Sequence, residues 1–425
     1  MTSMILENHP PHDEAAAPRV LHFSSAVLPR SETFVQQRLR GDRFRSAVAG
    51  WERVTGGLEV PCPSVILPQR LARRRSSSMA VRVARRLMRP VNLAHQTLDI
   101  GGLLVRSAPA VVHAHFGTVG VAVARACELV GIPLVTSFYG FDVGSLPREI
   151  GRAGVYRHLF ATAAVLTAEG PALARALIQL GAPPEKVKLL PLALPDFLLT
   201  EREPARREGG GGFNLLQIAR FVEKKGIDVT VRALAVARRA GVNARLVLVG
   251  EGPLRADLEA LIRELGLGDV VTLPGFLAHR ELSEHFAWAH AYVQPSRTAA
   301  NGDTEGGYPT TLIEAQARAL PVLATTHADI PLVVRDGVTG LLGAENDHQA
   351  LARNIVRLAN EPQTRAAMAE AARRVTFRRH YPTTVRALQE RVYREAMHRY
   401  RRKRWLLPFV ATGLRLRDPF DGPRL

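Results

Sequence analysis

Short apolar runs alternate with helix-like segments along most of this chain, and this alternation constrains the fold more than any other feature. In the first half, strand-like residues 20–23 lead into a polar turn at 24–25. Short β-branched runs at 111–115 and 134–138 flank an alanine-rich helix at 119–130. Because a helix between two strands serves as the crossover of parallel strands, the sequence predicts an α/β fold.

The same layout recurs after a charged, glycine-rich stretch at 201–212, which has the composition of a linker. A helix is predicted at 229–240, and strands are predicted at 213–218, 245–249, 270–273, 291–294 and 321–324. A length of 425 residues suits two domains. The predicted parts are a disordered segment at 1–18, a first Rossmann-like domain at 19–200, a linker at 201–212, a second Rossmann-like domain at 213–380, and at 381–425 a helix and basic tail that pack back on the first domain.

The formal net charge is +18, which predicts attraction to an acidic partner. One arginine cluster lies between Arg70 and Arg89, and a second basic run at 399–404 precedes the apolar residues 405–409. Basic residues beside an apolar tip favour an anionic membrane surface. Nucleic acid is a rival partner and is disfavoured, and a solvated basic face with no partner is the third interpretation.

The two cysteines, Cys62 and Cys127, lie far apart and outside any zinc-binding spacing. The first residues lack the basic start and apolar core of a signal peptide, and no run is apolar for long enough to span a membrane. We therefore expect a cytoplasmic protein, peripheral on the inner face of the cell membrane, with no bound metal and no cofactor.

Several motifs of the second half begin at or follow the carboxyl end of a predicted strand, where ligands of parallel sheets bind. They read IARFVEKKG at 218–226, VLVGEGP at 247–253, LPGFL at 273–277 and VQPSRTAANGDTEGGYPTTLIEAQARALPVLAT at 293–325. Their order and spacing resemble the carboxyl-terminal domain of the family-4 retaining glycosyltransferases, which have the GT-B fold. The resemblance covers nearly the whole second domain and implies a nucleotide-sugar site.

Two cations, Arg220 and Lys225, follow the first strand of this domain. Cations at this place could offset the charge of a departing diphosphate. An isolated Arg and Lys at the surface, however, more often serve only structure or solubility. The resemblance implies that Arg220 and Lys225 hold the diphosphate.

A helix predicted to have Pro309 in its first turn and to continue through Ala319 would present the amides of Thr310, Thr311 and Leu312 to an anion. Glu314 lies later in that helix among apolar residues, where a carboxylate needs a partner. The resemblance implies that Glu314 binds the ribose hydroxyls and that the earlier Glu305 faces the sugar.

The two glutamates are separated by one residue more than in the family pattern. The extra residue, Gly307 or Tyr308, is predicted to lie in a loop that tolerates insertion, so Glu305 keeps its role and Asp303 is the fallback. The resemblance also implies that Gly250, Gly252, Gly275 and Phe276 approach the nucleotide, although a GxG alone is a weak signal that usually marks a turn.

The first half of the chain resembles the family less closely than the second half does. HAHFG at 113–117, TSFYGFD at 136–142 and PRSETF at 29–34 resemble segments of bacterial exopolysaccharide glycosyltransferases of the colanic-acid type, whose acceptors are commonly lipid-linked oligosaccharides. The resemblance places Ser31, Glu32, His115, Tyr139 and Asp142 on the acceptor side. Tyr139 stands where the family often has histidine and cannot carry a positive charge at pH 7. Because His113 and His115 alternate on a strand, we expect one to face the cleft and one the core.

These features together predict a retaining, metal-independent hexosyltransferase that uses a UDP- or GDP-sugar and, as acceptor, a glycan or lipid-linked glycan in cell-surface polysaccharide synthesis. Two alternatives remain: a nucleotide-sugar epimerase or phosphorylase on the same fold, and a non-catalytic protein that binds nucleotides or polyanions. Acceptor dependence distinguishes the first, because an epimerase converts the donor alone. A dehydrogenase is disfavoured, because no GxGxxG follows the first strand.

Overall fold

The computed structural model describes residues 17–29, 32–41, 43–68, 79–144, 146, 153–200, 212–277, 279–401 and 420. Several sequence predictions lie outside these residues: the segment before residue 17, the linker at 201–211, all the arginines at 70–75, the basic and apolar residues at 402–409, and Ser31. The described residues form two parallel β-sheets with connecting helices. The predicted α/β class is therefore confirmed.

The first sheet has seven strands in the order β3-β2-β1-β4-β5-β6-β7. They are β1 (Arg19–Val27), β2 (Arg45–Arg53), β3 (Ser64–Ile66), β4 (Val111–His115), β5 (Leu134–Ser137), β6 (Val165–Ala168) and β7 (Val187–Leu189). The predicted turn at Ser24 and Ser25 is wrong, because β1 continues through both residues. It pairs along this length with β2 in parallel register, and the ladder of hydrogen bonds overrides the turn preference of serine.

The second sheet has six strands in the order β10-β9-β8-β11-β12-β13. They are β8 (Phe213–Ile218), β9 (Ala244–Val249), β10 (Val271–Gly275), β11 (Ala291–Gln294), β12 (Val322–Thr325) and β13 (Gly340–Gly343). In both sheets the order of the first six strands is that of a doubly wound Rossmann sheet, which reverses direction between its first and fourth strands. This reversal creates a switch point between β1 and β4 in one sheet and between β8 and β11 in the other.

Helices connect the strands, as expected for right-handed crossovers. The described α-helices are α1 (Thr33–Arg38), α2 (Met79–Ser107), α3 (Gly117–Val130), α4 (Gly140–Val143), α5 (Arg157–Thr162), α6 (Pro171–Gln179), α7 (Phe197–Thr200), α8 (Ile227–Arg239), α9 (Arg255–Glu264), α10 (His279–Trp288), α11 (Thr310–Ala317), α12 (Ile330–Val333), α13 (His348–Asn360), α14 (Pro362–His380) and α15 (Pro382–Arg401). No described helix is both long and apolar enough to cross a bilayer.

The chain divides into two compact units. One comprises Met1–Thr136, Ala161–Val165 and Leu388–Leu425, and the other Ser137–Phe160 and Leu166–Ala387. In the first unit, the last part of α15 is built into the core: Val392, Tyr393 and Ala396 pack with apolar residues of β1 and β4. The core of the second unit lies between β8 to β13 and the helices α8, α9 and α13. Each unit thus buries its own apolar interior.

Candidate functional site

The switch point of the second sheet holds a pair of opposite charges. Lys225 follows the end of β8, Glu305 follows the end of β11, and the Lys225 ammonium lies 2.8 Å from both oxygens of the Glu305 carboxylate. The two side chains are only 17% and 7% exposed. The structure therefore brings together two residues that are eighty positions apart and that the sequence placed in one site.

The backbone at Lys225 is fixed by three neighbours. The buried Gln217 amide donates to the Lys225 carbonyl at 3.0 Å, and Thr230 in turn donates to Gln217 at 2.7 Å. The next residue, Gly226, has φ of 59°, and a Cβ there would lie 2.0 Å from the carbonyl oxygen of Pro295. Only glycine fits this close approach, so the turn that presents Lys225 depends on it.

Ser296 links the Glu305 carboxylate to the sheet. Its hydroxyl accepts from the Gln294 amide at 3.0 Å and donates to Glu305 Oε1 at 2.7 Å. Burial alone would raise the pKa of Glu305, but the charges of Lys225 and Lys224 and the hydrogen bonds from Lys225 and Ser296 outweigh it and lower the pKa. Glu305 is consequently held as a carboxylate, able to accept hydrogen bonds but not to donate a proton.

Asp303, the fallback for Glu305, has a different partner. Lys224 donates to Asp303 Oδ1 at 3.0 Å and to the Thr304 carbonyl at 2.9 Å. Consecutive lysines on the turn after β8 thus hold two acidic residues of one loop. The extra residue before the helix has not moved Glu305 away from Lys225.

The loop that carries the extra residue is not the tolerant surface loop that the sequence predicted. Gly306, Gly307, Tyr308 and Pro309 are all buried. The Tyr308 hydroxyl accepts from the Leu192 amide at 3.2 Å, and a Cβ on Gly307 would lie 2.3 Å from the Glu169 carboxylate. The segment at 306–309 is therefore packed against other residues. Its two glycines were the reason that the sequence indicated a tolerant loop.

Helix α11 begins one residue later and ends two residues earlier than predicted. Pro309 occupies the N-cap position rather than the first turn, and Ala319 lies beyond the helix with φ of 54°. The Leu312 amide already donates to the Pro309 carbonyl at 3.1 Å. The amides of Thr310 and Thr311 remain in the first turn, where helix geometry offers them no partner.

Glu314 is buried within α11, and burial raises its pKa to about 7 against the opposing charge of Arg318. Its neighbour Arg318 is held by aromatic faces, with the guanidinium 4.4 Å from the ring centre of Phe286. A carboxyl group with this pKa changes charge near neutral pH. Ionised, it is an acceptor for two hydroxyl groups.

Arg220 differs from Lys225 in its surroundings. Its side chain is exposed, and no hydrogen bond or ion pair of its guanidinium is found within the described part of the chain. An uncommitted guanidinium near the switch point can bind a phosphate in bidentate fashion.

The glycines of the VGEGP turn have a structural reason of their own. Gly250 has φ of 136°, and a Cβ there would lie 1.9 Å from the Ala219 carbonyl. A Cβ on Gly252 would lie 2.5 Å from the carbonyl oxygen of Phe221. The observed close approach is thus between this turn and the segment after β8. Gly275 has φ of 85°, and the adjacent Phe276 is 62% exposed.

Three polar residues of the site were not predicted from the sequence: Ser296, His327 and Glu345. Each stands two positions beyond the end of a strand, after β11, β12 and β13 respectively. These strands are neighbours in the sheet. A polar residue just past the carboxyl end of each of three adjacent parallel strands is a signal that could have found them.

His327 joins two of these positions. The Glu305 amide donates to His327 Nε2 at 3.1 Å, and His327 Nδ1 lies 2.7 Å from Glu345 Oε1. The Thr298 amide donates to the other oxygen of Glu345 at 2.8 Å. Burial would raise the pKa of Glu345, but the hydrogen bonds from Thr298 and His327 lower it.

The switch point of the first sheet holds histidines instead. His22, His113 and His115 are fully buried. The expectation that His113 and His115 face the cleft and the core is wrong, because residues two apart on a strand share a face and the two ring centres lie 4.4 Å apart. Both faces of the central strand β4 are covered. His22 Nδ1 lies 3.0 Å from His115 Nε2, and the Tyr393 hydroxyl of α15 lies 2.8 Å from His113 Nδ1.

Burial lowers the pKa of all three rings, with a smaller contribution from the Arg38 guanidinium. Their ligand atoms lie within 4.8 Å of one another, and neutral imidazoles are the form that binds metal. The positive charge of Arg38 nearby opposes a divalent cation. The observed hydrogen bonds give the cluster a structural role in joining β1, β4 and α15.

The remaining acceptor-side residues fall in different units. Glu32 lies in the first unit, where Ser24 donates to its carboxylate at 3.4 Å and burial raises its pKa to about 7. Tyr139 and Asp142 lie in the second unit. Asp142 is fully buried and accepts from the Tyr139 amide at 3.0 Å, so it caps the start of α4. This hydrogen bond gives Asp142 a structural role at the start of the helix.

Two protein families match the chain, one in each half. Residues 35–193 match the glycosyl transferase 4-like domain. Residues 201–375 match the glycosyl transferases group 1 domain.

Among similar curated proteins is one provisionally assigned in Salmonella typhimurium as the colanic acid biosynthesis glycosyltransferase WcaL. It is 34% identical over a match that covers 57% of this chain and 59% of that protein. The amylovoran biosynthesis glycosyltransferase AmsK of Erwinia amylovora is 33% identical, over 57% of this chain and 60% of that protein. The matches span about three fifths of the relatives' lengths.

The structure is similar to that of HepE from Anabaena, solved in complex with UDP-glucose, with a TM-score of 0.67 and 18% identity over 88% of this chain and 98% of that one. The lipopolysaccharide outer core galactosyltransferase WaaB gives a TM-score of 0.64 at 13% identity over 88% of this chain and 98% of that one. Both likenesses concern the fold. They confirm the predicted GT-B class with its two Rossmann-like sheets.

Proposed function

We propose that this chain, which matches a glycosyl transferase 4-like domain in its first half and a glycosyl transferases group 1 domain in its second, is a glycosyltransferase that transfers a hexose from a nucleotide diphosphate sugar to a glycan acceptor in exopolysaccharide synthesis. The observation that carries the proposal is the pairing of Lys225 with Glu305 at the switch point of the second sheet. Ligands of doubly wound sheets bind at this place.

The residues around the switch point offer the two kinds of group that a nucleotide-sugar requires. Lys225 and the exposed Arg220 supply positive charge for the diphosphate, and the first amides of α11 add oriented donors. The carboxylates of Glu305 and Glu314 are acceptors for hydroxyl groups of the sugar and of the ribose. This division of charge supports the donor roles assigned to these residues.

We propose that the reaction retains the anomeric configuration and needs no metal. The acceptor oxygen bonds to the anomeric carbon on the face from which the diphosphate departs, the bond from that carbon to the phosphate oxygen breaks, and the acceptor proton passes to the leaving phosphate. The cations Arg220 and Lys225 stabilise the charge on that phosphate. Glu305 is ionised and ion-paired, so it positions the sugar rather than donating a proton.

The acceptor class rests on the relatives. WcaL and AmsK are named for the synthesis of colanic acid and amylovoran, and the proposed acceptor is a lipid-linked oligosaccharide intermediate of such a polymer. The donor base is left as uridine or guanosine: HepE was solved with UDP-glucose, whereas another relative, from Mycobacterium tuberculosis, is a GDP-mannose-dependent mannosyltransferase.

Nucleotide release from UDP-glucose, UDP-galactose and GDP-mannose, measured with and without a bacterial lipid-linked glycan extract, tests the proposal. We expect release from one donor that depends on the acceptor, and conversion of the donor without acceptor would instead indicate an epimerase. Lys225→Ala is expected to reduce turnover about 10²- to 10³-fold while the circular dichroism stays unchanged. Arg232→Ala, which removes an exposed cation from α8, is the matched control. Near-normal turnover in Lys225→Ala would reject the donor site.

Retention and metal independence have their own tests. Proton NMR of the first product should show the anomeric configuration of the donor, and turnover should persist after dialysis against EDTA. An inverted product would reject the proposed displacement. Loss of activity in EDTA that Mg²⁺ restores would show that the two cations do not suffice.

We also propose that the full chain binds anionic membranes through its basic segments. The test is flotation with vesicles of phosphatidylglycerol and phosphatidylethanolamine, compared with vesicles of phosphatidylcholine alone. Binding to the anionic vesicles should drop when residues 399–425 are removed. Equal flotation of the two chains would place the contact elsewhere.

A further inference from the structure

His327 lies next to the proposed sugar site but is not itself one of the groups assigned to the substrate. It is 3% exposed and stands two residues after β12, between the segment that carries Glu305 and the segment that carries Glu345. Both of its ring nitrogens have defined partners: Nε2 faces the Glu305 amide at 3.1 Å and Nδ1 faces Glu345 Oε1 at 2.7 Å. The ring therefore connects two loops through opposite edges.

These partners determine which nitrogen carries the proton. A backbone amide can only donate, so Nε2 must be the unprotonated acceptor for the Glu305 amide. A carboxylate can only accept, so Nδ1 must carry the hydrogen that is donated to Glu345. Protonation of Nε2 would set two N–H groups against each other and remove the bond that holds the Glu305 backbone.

The partners of His327 are themselves fixed. The second oxygen of Glu345 accepts from the Thr298 amide at 2.8 Å, and the Glu305 carboxylate is bound by Lys225 and Ser296. The backbone and the side chain of Glu305 are thus held from different directions. The charged groups around the imidazole are Glu345 at Nδ1 and Glu305 on the Nε2 side, the latter neutralised by Lys225.

We propose that His327, held in the Nδ1–H form by Glu345, is a positioning residue that sets the backbone of Glu305 and so aims its carboxylate at the donor sugar. The proposal rests on the proposed function for its catalytic consequence but not for its geometry. A displacement of about 1 Å at a residue that orients a substrate costs on the order of 10²-fold in rate. Glu305 is restrained at its backbone by His327 and at its carboxylate by Lys225 and Ser296. Loss of the backbone restraint should therefore lower kcat more than it changes KM.

The kinetic arm compares His327→Ala, His327→Gln and Glu345→Gln with His398→Ala, which removes an exposed histidine of α15. With the donor identified by the release screen, His327→Ala should lower kcat roughly 10- to 100-fold, with a donor KM within about threefold of wild type. His327→Gln, whose amide oxygen can accept the Glu305 N–H, should recover part of that loss. Glu345→Gln keeps an oxygen that can accept from Nδ1–H and should lower kcat less than His327→Ala does.

The second arm needs no activity. Nitrogen NMR of the full chain labelled with ¹⁵N-histidine should show an Nδ1–H ring signal that is present in wild type and lost in His327→Gln. Loss of an Nε2–H ring signal in His327→Gln instead, or unchanged kcat in His327→Ala of an active enzyme, would overturn the inference. Absence of turnover in wild type with every donor would reject the proposed function instead, and the NMR result would still decide the geometry.

Discussion

The two switch points of this molecule have the same topology and opposite chemistry. Between β1 and β4 lie three buried histidines that are kept neutral and bonded to one another and to Tyr393. Between β8 and β11 lie the charged pair Lys225 and Glu305. Strand order is 3-2-1-4-5-6 in both places, so topology decides where a site can form and the side chains decide what it can bind.

The difference lies in how each cluster offsets the cost of burial. Imidazoles can be buried in their neutral form, and burial lowers the pKa of His22 to about 3. Glu305 instead stays ionised, because the Lys225 ammonium at 2.8 Å, the charge of Lys224 and the hydrogen bond from Ser296 lower its pKa against the effect of burial. The first cluster is consequently neutral, whereas the second keeps an ion pair, which the proposed function assigns to a diphosphate and a sugar.

The largest expected effect comes from removing the charge of the second cluster. Glu305→Gln keeps the shape of the side chain but leaves Lys225 without its counter-charge, and turnover should fall about 10²- to 10³-fold. The matched variant is Asp303→Asn, which removes one charge from the same loop and breaks the pair with Lys224.

Steady-state turnover of the two variants is compared under saturating donor. We expect Asp303→Asn to lose no more than about tenfold, as for a partly exposed pair. A larger loss in Asp303→Asn than in Glu305→Gln would transfer the sugar-facing role to the fallback residue.

The second effect is on the pH dependence of stability. Because the pKa of His22 falls from 6.5 in the unfolded chain to about 3 in the fold, the unfolded chain binds the extra proton between these values. The free energy of unfolding should therefore decrease as pH falls through this window, by up to about 1.4 kcal/mol per pH unit. The contribution of Glu314 to stability depends on pH in the opposite direction. Its pKa is raised from 4.5 to about 7, so its stabilising contribution is present below pH 4.5 and is lost as pH rises towards 7.

Urea unfolding at a series of pH values tests both signs. Relative to wild type, His22→Gln should flatten the acid decline, and Glu314→Gln should raise the relative stability near pH 7. Parallel curves for wild type and His22→Gln would show that folding does not lower the pKa of this histidine, and would contradict the contrast drawn between the two clusters.

The smallest effect concerns the attachment of α15 to the first cluster. Tyr393→Phe removes the hydroxyl 2.8 Å from His113 Nδ1 and should lower the free energy of unfolding by about 1 to 2 kcal/mol. Tyr381→Phe, at a tyrosine 39% exposed, is the control and should change it by less than about 0.5 kcal/mol. Equal denaturation midpoints for the two variants would mean that the Tyr393 hydroxyl does not help to hold the helix.

Much of the site was predictable because its residues follow strand ends in a recognisable order. Arg220, Lys225, Glu305 and Glu314 were all singled out, and the structure brings Lys225 and Glu305 into contact. Ser296, His327 and Glu345 were missed because each is an ordinary polar residue whose meaning depends on which strands are neighbours. Their shared position beyond β11, β12 and β13 becomes visible only with the sheet order.

Local patterns also misled where packing overrides them. Glycines at 306 and 307 predicted a tolerant loop, yet the segment is buried against the rest of the second unit. His113 and His115 on β4 were predicted to face the cleft and the core, yet residues two apart on a strand share a face, and the two rings lie 4.4 Å apart and are both buried.

The sequence by itself determined the α/β class and most of the strands, since periodicity is a local property of the chain, and its resemblance to the family-4 glycosyltransferases singled out the charged residues of the proposed donor site. Only the tertiary structure decided which of those residues meet. The pairing of Lys225 with Glu305, the orientation of His327 and the burial of the three histidines depend on contacts between residues far apart in sequence, which no local pattern encodes.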